Sequence, residues 1–308
     1  MTTTRRLEVS LTISGFTRLF DGDLRAVLDV ARGADDAGVH QLVLADHVVM
    51  GTRTDRYPYG RFPYGPEEPW PEPLTLLAAF AAVTTRARLG TGILISPLRP
   101  AVLLAKAAAT LDQLCDGRLD LGVGVGWQRE EYAAVGVPWG ERHQNFDDQL
   151  GALAALFTTE PPTTFRSATI AFDDVWCEPR PRQQHPGTGI PLWFGVPATG
   201  DNVARMAAYG AGWLPIHTTP PDALRDGIAR LRDACAAAGR DPSTFGVRAG
   251  LPLAVRDDGS IDLDESRARA AELAQVGVTT FAVGLGRHLR DRSDVHAFVA
   301  ALGELSRG

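Results

Sequence analysis

Short β-forming runs alternate with helical stretches from one end of this chain to the other, and no other feature constrains its fold as strongly. Strand candidates lie at residues 7–13, 41–46, 87–95, 118–127, 191–196, 212–216, 246–255 and 279–285. Helical stretches follow at 23–37, 74–84, 100–114, 130–135 with 147–157, through Ala208, 222–238, 263–275 and 294–305. The first of them shows the pattern. Leu24, Val27, Leu28 and Ala31 recur at helical spacing, and Gly38 follows at the C-cap position. Repeated βα alternation predicts parallel strands with helices outside, and roughly eight such units in a 308-residue chain suit a (β/α)8 barrel. A doubly wound sheet would need two halves, and no linker-like shift in composition separates any. A single TIM-barrel domain over residues 1–308 is therefore expected, with small insertions such as a hairpin at 163–175.

Composition narrows the function classes. The net charge is −6 and no block of basic residues occurs, so neither nucleic acid nor an anionic membrane is expected as a partner. Cys115, Cys177 and Cys235 are scattered without CxxC spacing and offer neither a disulfide framework nor a zinc site. No segment supplies about 18 uninterrupted apolar residues, and the first residues lack a cleavage signature, so a cytoplasmic chain is expected. Lys106 is the single lysine among 31 basic residues, and its place inside a helix argues against a Schiff-base aldolase. The first strand carries no histidine, which argues against a metal-dependent hydrolase, and no metal site is assigned.

The stretch RLDLGVGVGWQREEY, residues 118–132, resembles a phosphate loop at first sight. A dinucleotide fingerprint needs its glycines at a tight turn before a helix. Gly122, Gly124 and Gly126 instead recur every second residue, which places them on one face of an extended strand. Two readings stay open: a bared strand against which a flat ring presses, or small residues filling a tapering barrel core. In such a barrel the active site gathers at the C-terminal strand ends, which here carry Asp46 and His47, residues 92–96, 124–128 and 195–202, His217, and residues 284–286. His47 reads either as a core or loop histidine with a satisfied hydrogen bond or as a general acid, and the acid is the role expected of it. The Tyr/Pro/Gly-rich excursion at 51–73, with Tyr57, Tyr59, Tyr64 and Trp70, is expected to form a lid over the substrate entrance. Trp213 is assigned to the core. Glu130 and Glu131 begin a helix, where the dipole favours acids, and are assigned a structural role.

Several segments carry a family resemblance: LVLADHVV (42–49), RYPYGRFPYGPEEPWPEPLTLLA (56–78), the block from ARLGTGILI to VPWGER (87–142), IPLWFGV (190–196) and AAYGAGWLPI (207–216). The chain resembles the bacterial-luciferase-like superfamily of flavin and deazaflavin oxidoreductases, and within it the actinobacterial branch that depends on coenzyme F420. The resemblance implies a TIM-like barrel, often a homodimer, with a flavin or deazaflavin at the strand C-termini and a small-molecule substrate. It places Asp46 and His47 near the ring, Gly92 and Ile93 in a strand-three bulge behind it, often with a non-prolyl cis peptide, and Gly126 and Trp127 at the end of strand four. It also makes GVPATGDN (195–202) the cofactor-phosphate loop. Gly195 opens that loop, and the amides of Thr199, Gly200 and Asp201 at a helix N-terminus are the expected donors. The chain departs from the family pattern at Val196, where a second glycine is usual, and at Pro197, which has no N–H. Trp127 stands where the family's sugar-phosphate dehydrogenases carry a catalytic glutamate. That argues against sugar-phosphate oxidation and makes Trp127 a wall of the substrate pocket, with Tyr57, Tyr64, Trp70 and His217. The implied activity is hydride transfer between coenzyme F420 and a small, unsaturated organic substrate. The alternatives are an FMN-dependent monooxygenase that uses dioxygen, and a cofactor-binding protein with a degenerate catalytic site.

Overall fold

The computed structural model of the protein describes residues 6–307. The strands are β1 (Glu8–Ile13), β2 (Gln41–Leu44), β3 (Arg88–Thr91), β4 (Leu94–Ile95), β5 (Leu119–Gly124), β6 (Thr163–Arg166), β7 (Ala171–Val175), β8 (Leu192–Phe194), β9 (Gly210–Trp213), β10 (Gly246–Gly250) and β11 (Thr280–Gly284). The helices are α1 (Phe16–Phe20), α2 (Leu24–Ala37), α3 (Pro73–Ala81), α4 (Ala101–Leu114), α5 (Arg129–Ala134), α6 (Arg142–Thr158), α7 (Asp201–Tyr209), α8 (Pro221–Ala237), α9 (Leu263–Val276), α10 (Leu285–His288) and α11 (Val295–Arg307). The sheet runs β3-β2-β1-β11-β10-β9-β8-β5-β4, and β3 also pairs with β5. Every one of these pairings is parallel, so the sheet closes on itself as the expected (β/α)8 barrel. The predicted hairpin at 163–175 is β6–β7, antiparallel and outside the barrel. Among the described residues no helix is long and apolar enough to cross a membrane.

The barrel strands come out shorter than their apolar runs, because the residues at their C-terminal ends leave the ladder to line the mouth. Strand three shows why the site forms there. The predicted single strand at 87–95 is broken into β3 and β4 around a cis Gly92–Ile93 peptide. Below the break Leu89 faces Leu119, and above it Leu94 faces Val123. Strand three thus carries one more residue than its neighbour across that interval, a β-bulge that turns Gly92 and Ile93 toward the barrel axis.

The alternating glycines of β5 receive this bulge. A Cβ on Gly122 would lie 2.1 Å from the Thr91 carbonyl oxygen, and Thr91 Oγ1 donates to the Gly122 carbonyl at 2.7 Å. A Cβ on Gly195 would lie 2.3 Å from Ile93 Cγ2. For Gly122 and Gly124 the structure supports close packing against strand three and the Gly195 carbonyl. Gly126, expected on the same face, instead lies beyond β5 with φ 65° and lines the mouth of the barrel.

Below the bulge the barrel interior is polar and closed by its own groups. Gln41 accepts from Ser10 Oγ at 2.8 Å and from Arg248 Nη1 at 2.9 Å, and donates to Asp120 at 2.6 Å. Arg88 grips the same carboxylate with two nitrogens, at 2.7 and 2.6 Å. Outside the barrel, Asp35 of α2 plays a matching part at the start of β3. Its carboxylate accepts from the amides of Thr85, Arg86 and Ala87 at 3.0, 2.9 and 2.6 Å.

Candidate active site

The C-terminal strand ends and the loop after β2 enclose one cavity of about 640 Å3. Asp46, His47, Gly92, Ile93, Gly126, Trp127 and Gly195 reach it from the strand ends, and His217 reaches it from beyond β9. Tyr57, Tyr59, Tyr64 and Trp70 of the 51–73 excursion line it together with Phe62, which the sequence reading did not single out. Trp213 is buried in the core, where its Nε1 donates to the Val196 carbonyl at 2.8 Å.

His47 stands at the centre of the aromatic wall. Its ring meets Trp70, Phe62 and Trp127 edge to face, with centroids 4.7, 5.8 and 6.1 Å away. Its Nδ1 lies 3.3 Å from both carboxylate oxygens of Glu131, whose side chain is only 1% exposed. Glu131 also accepts from the Val48 amide at 2.9 Å, which ties α5 to the chain just after β2. Its place at a helix start predicts a structural role for Glu131, yet the structure brings it into direct contact with the candidate acid. With Nδ1 engaged, Nε2 is the ring nitrogen left for a ligand.

Asp46 holds the site from beneath. It accepts from the Ile95 amide at 2.8 Å and takes both Arg99 nitrogens, at 2.6 and 3.0 Å. Arg99 reaches on to Glu72 at 3.0 Å. Burial pulls the Arg99 guanidinium down, but these two carboxylates outweigh it and hold the group above its ordinary value. Asp46 thus clamps the strand-three bulge in place, and its charge is spent on Arg99. Arg99 is a second residue the sequence reading missed.

Burial raises Tyr57 and Tyr64 above the ordinary phenol value and lowers His217 below the ordinary imidazole value, and the Arg287 charge acts on all three. The indole N–H of Trp70 is buried without an acceptor among the described residues, a donor turned to no protein group. Near β8 the expected phosphate donors divide. The Thr199 amide already donates to the Pro197 carbonyl at 2.9 Å, so it is not available as expected. The amides of Gly200 and Asp201, at the N-terminus of the nine-residue α7, have no backbone partner among the described residues. Thr199, Gly200 and Asp201 all lie outside the main cavity, beyond Pro197 on its rim. No cluster of His, Cys, Asp and Glu that could hold a metal ion occurs among the described residues.

The luciferase-like monooxygenase family model matches residues 6–302. The chain belongs to that family. A luciferase-like chain of this kind has an uncharacterised relative in Mycobacterium tuberculosis strain H37Rv, 34% identical over 232 residues, which are 75% of this chain and 74% of the relative. A monooxygenase from Streptomyces bottropensis shares the luciferase-like barrel with a TM-score of 0.79 at 21% identity, covering 96% of this chain and 98% of that one. An F420-dependent secondary alcohol dehydrogenase, solved with an F420–acetone adduct, superposes with a TM-score of 0.76 at 16% identity, over 97% and 98% of the two chains. A type II Baeyer–Villiger monooxygenase from Pseudomonas putida, solved with FMN, does so with a TM-score of 0.76 at 14% identity, over 98% of each chain. At these identities the structures establish a common fold, and that fold serves both cofactor types.

Proposed function

We propose that this luciferase-like oxidoreductase binds coenzyme F420 and transfers hydride between it and a small, unsaturated organic substrate. The observation that carries the reading is the His47–Glu131 pair on the cavity wall, because hydride transfer to a polarised double bond also needs a proton delivered nearby. The cavity fits a flat ring: its size is right, a bulge of Gly92 and Ile93 forms its floor with Gly126 and Gly195, and Trp70 offers an unpartnered donor. The amides of Gly200 and Asp201 would hold the cofactor phosphate, as free N–H groups at a helix N-terminus do. When bound, the cofactor supplies the two-electron step.

The protein's own part is binding, orientation and proton transfer. His47 holds the proton at Nε2. Glu131 accepts from Nδ1, fixes the ring's orientation and balances the charge of the imidazolium in surroundings that are otherwise apolar. Phe62, Trp70 and Trp127 exclude water from that proton. Trp127 also fills the wall where a carboxylate would be needed for sugar-phosphate oxidation.

Titration of the purified protein with F420 and with FMN, each oxidised and reduced, tests the reading. Tight binding of F420 and turnover without dioxygen uptake are expected. Binding of FMN alone, with substrate-dependent dioxygen uptake, would replace it with the monooxygenase reading.

A further inference from the structure

The cavity carries a charge pattern that proton and hydride transfer leave unused. The chain has a net charge of −6, yet Arg18, Arg61, Arg248, Arg287 and Arg290 all line this one cavity. Its single lining carboxylate, Asp46, is already paired with Arg99. Among the described residues no carboxylate lies within ion-pair distance of Arg61, Arg287 or Arg290. Burial pushes Arg248 down to about 10, with Asp120 opposing, so it too is cationic at neutral pH.

These charges are gathered on one side. Arg287 and Arg290 follow β11, Arg18 lies in α1 just after β1, and Arg61 comes from the loop after β2, and those three strands are neighbours. The Gly200 and Asp201 amides follow β8, which stands four strands from β1 in either direction round the barrel. The phosphate loop and the arginines therefore face each other across the mouth. Clustered, unpaired guanidinium groups repel one another, and a bound anion relieves that repulsion. Their forked donors match a carboxylate two bonds at a time.

We propose that the substrate is an organic acid: a flat, unsaturated body lying along Phe62, Trp70 and Trp127, with a carboxylate held by Arg61, Arg287 and Arg290. The inference rests on the hydride-transfer reading, in which the cofactor phosphate occupies the opposite side of the mouth. It names the substrate class that reading leaves open.

Calorimetric titration with 2-naphthoate and 2-naphthamide tests it, since the two share a shape and differ in charge. Wild type and the exposed-site variants Arg287→Ala and Arg290→Ala are compared, and the F420 and FMN affinities of each are measured alongside. Naphthoate is expected to bind wild type at least about tenfold tighter than naphthamide, and each substitution should cost it about tenfold, the effect of one charge-assisted pair. Naphthamide and cofactor affinities should stay level. Equal affinity for the two probes, or no naphthoate binding, overturns the proposal. So does a loss of cofactor affinity in the variants, which would assign the arginines to an acidic cofactor tail. If neither cofactor binds wild type while the naphthoate preference holds, the hydride reading fails and the anion pocket stands.

Discussion

His47 and Glu131 touch although 84 positions separate them in the chain. The contact sets two different expectations. His47→Ala removes the proposed proton donor and should lower turnover by about 10^2- to 10^4-fold, with F420 affinity unchanged. Glu131→Gln keeps the shape and a hydrogen-bond acceptor but removes the counter-charge. It should cost about tenfold and move the alkaline limb of the rate–pH profile, where the protonated acid is lost, to lower pH, a shift that a purely structural residue would not produce. Steady-state rates across pH with equilibrium cofactor titration separate the two roles, and an unmoved profile in Glu131→Gln would return that residue to scaffolding. The place of His47 on the cavity wall was legible in the sequence because the residue ends a barrel strand, where the mouth lies. Glu131 was not, because a helix-start acid already has a local explanation and its partner is set by how α5 docks beside β2. Asp46 stood out for the same reason as His47, but only the fold shows that Arg99 consumes its charge.

At the scale of elements, the period-two glycines of β5 were visible in the sequence and their cause was not. Their spacing follows from strand geometry, whereas the atoms they make room for belong to strand three. Gly122→Ala would drive a methyl group to 2.1 Å from a backbone oxygen that cannot swing away. A loss of about 3 kcal/mol is expected, at the upper end for overpacking. Gly250→Ala, with nothing within 4 Å of the new Cβ, is the matched control and should change stability by no more than about 0.5 kcal/mol. Denaturant unfolding of both variants reads the difference, and equal midpoints would remove the close-packing account. Asp35 gives the second element-scale expectation. Burial favours its neutral form, but the amides of Ala87, Thr85 and Arg86 outweigh burial and hold its carboxyl below the ordinary value. The unfolded chain therefore binds the proton first as pH falls. Asp35 contributes its stability above the ordinary carboxylate value of about 3.9 and loses it as pH drops through the lower folded value. Asp35→Asn should cost about 2 kcal/mol at neutral pH and make the acid unfolding limb shallower. A melt whose acid limb matches wild type would contradict this.

For the whole molecule, the eightfold alternation was enough to predict the closed barrel, because parallel strands that each bring a helix have few other ways to bury both faces. Strand lengths were overread, since the residues that end each apolar run serve the mouth instead of the ladder. Closure makes the two ends of the chain depend on each other. β1 is flanked by β2 and β11, and α11 packs beside α2, with the Leu7 amide donating to the Ser306 carbonyl at 3.1 Å and Arg307 reaching the Ala37 carbonyl at 3.0 Å. Val295, Phe298, Val299, Leu302 and Leu305 of α11 are all buried. Each such side chain contributes roughly 1.5–3 kcal/mol on burial, so together they rival the whole net stability of an ordinary domain, about 5–15 kcal/mol. Deleting residues 295–307 should therefore abolish the cooperative unfolding transition and with it all cofactor binding, although no atom of α11 lines the cavity. Circular dichroism melting and the F420 titration, run on the same truncated chain, check this. A truncated chain that still melts sharply would show that the barrel closes without its last helix and that the chain ends are less coupled than their packing indicates.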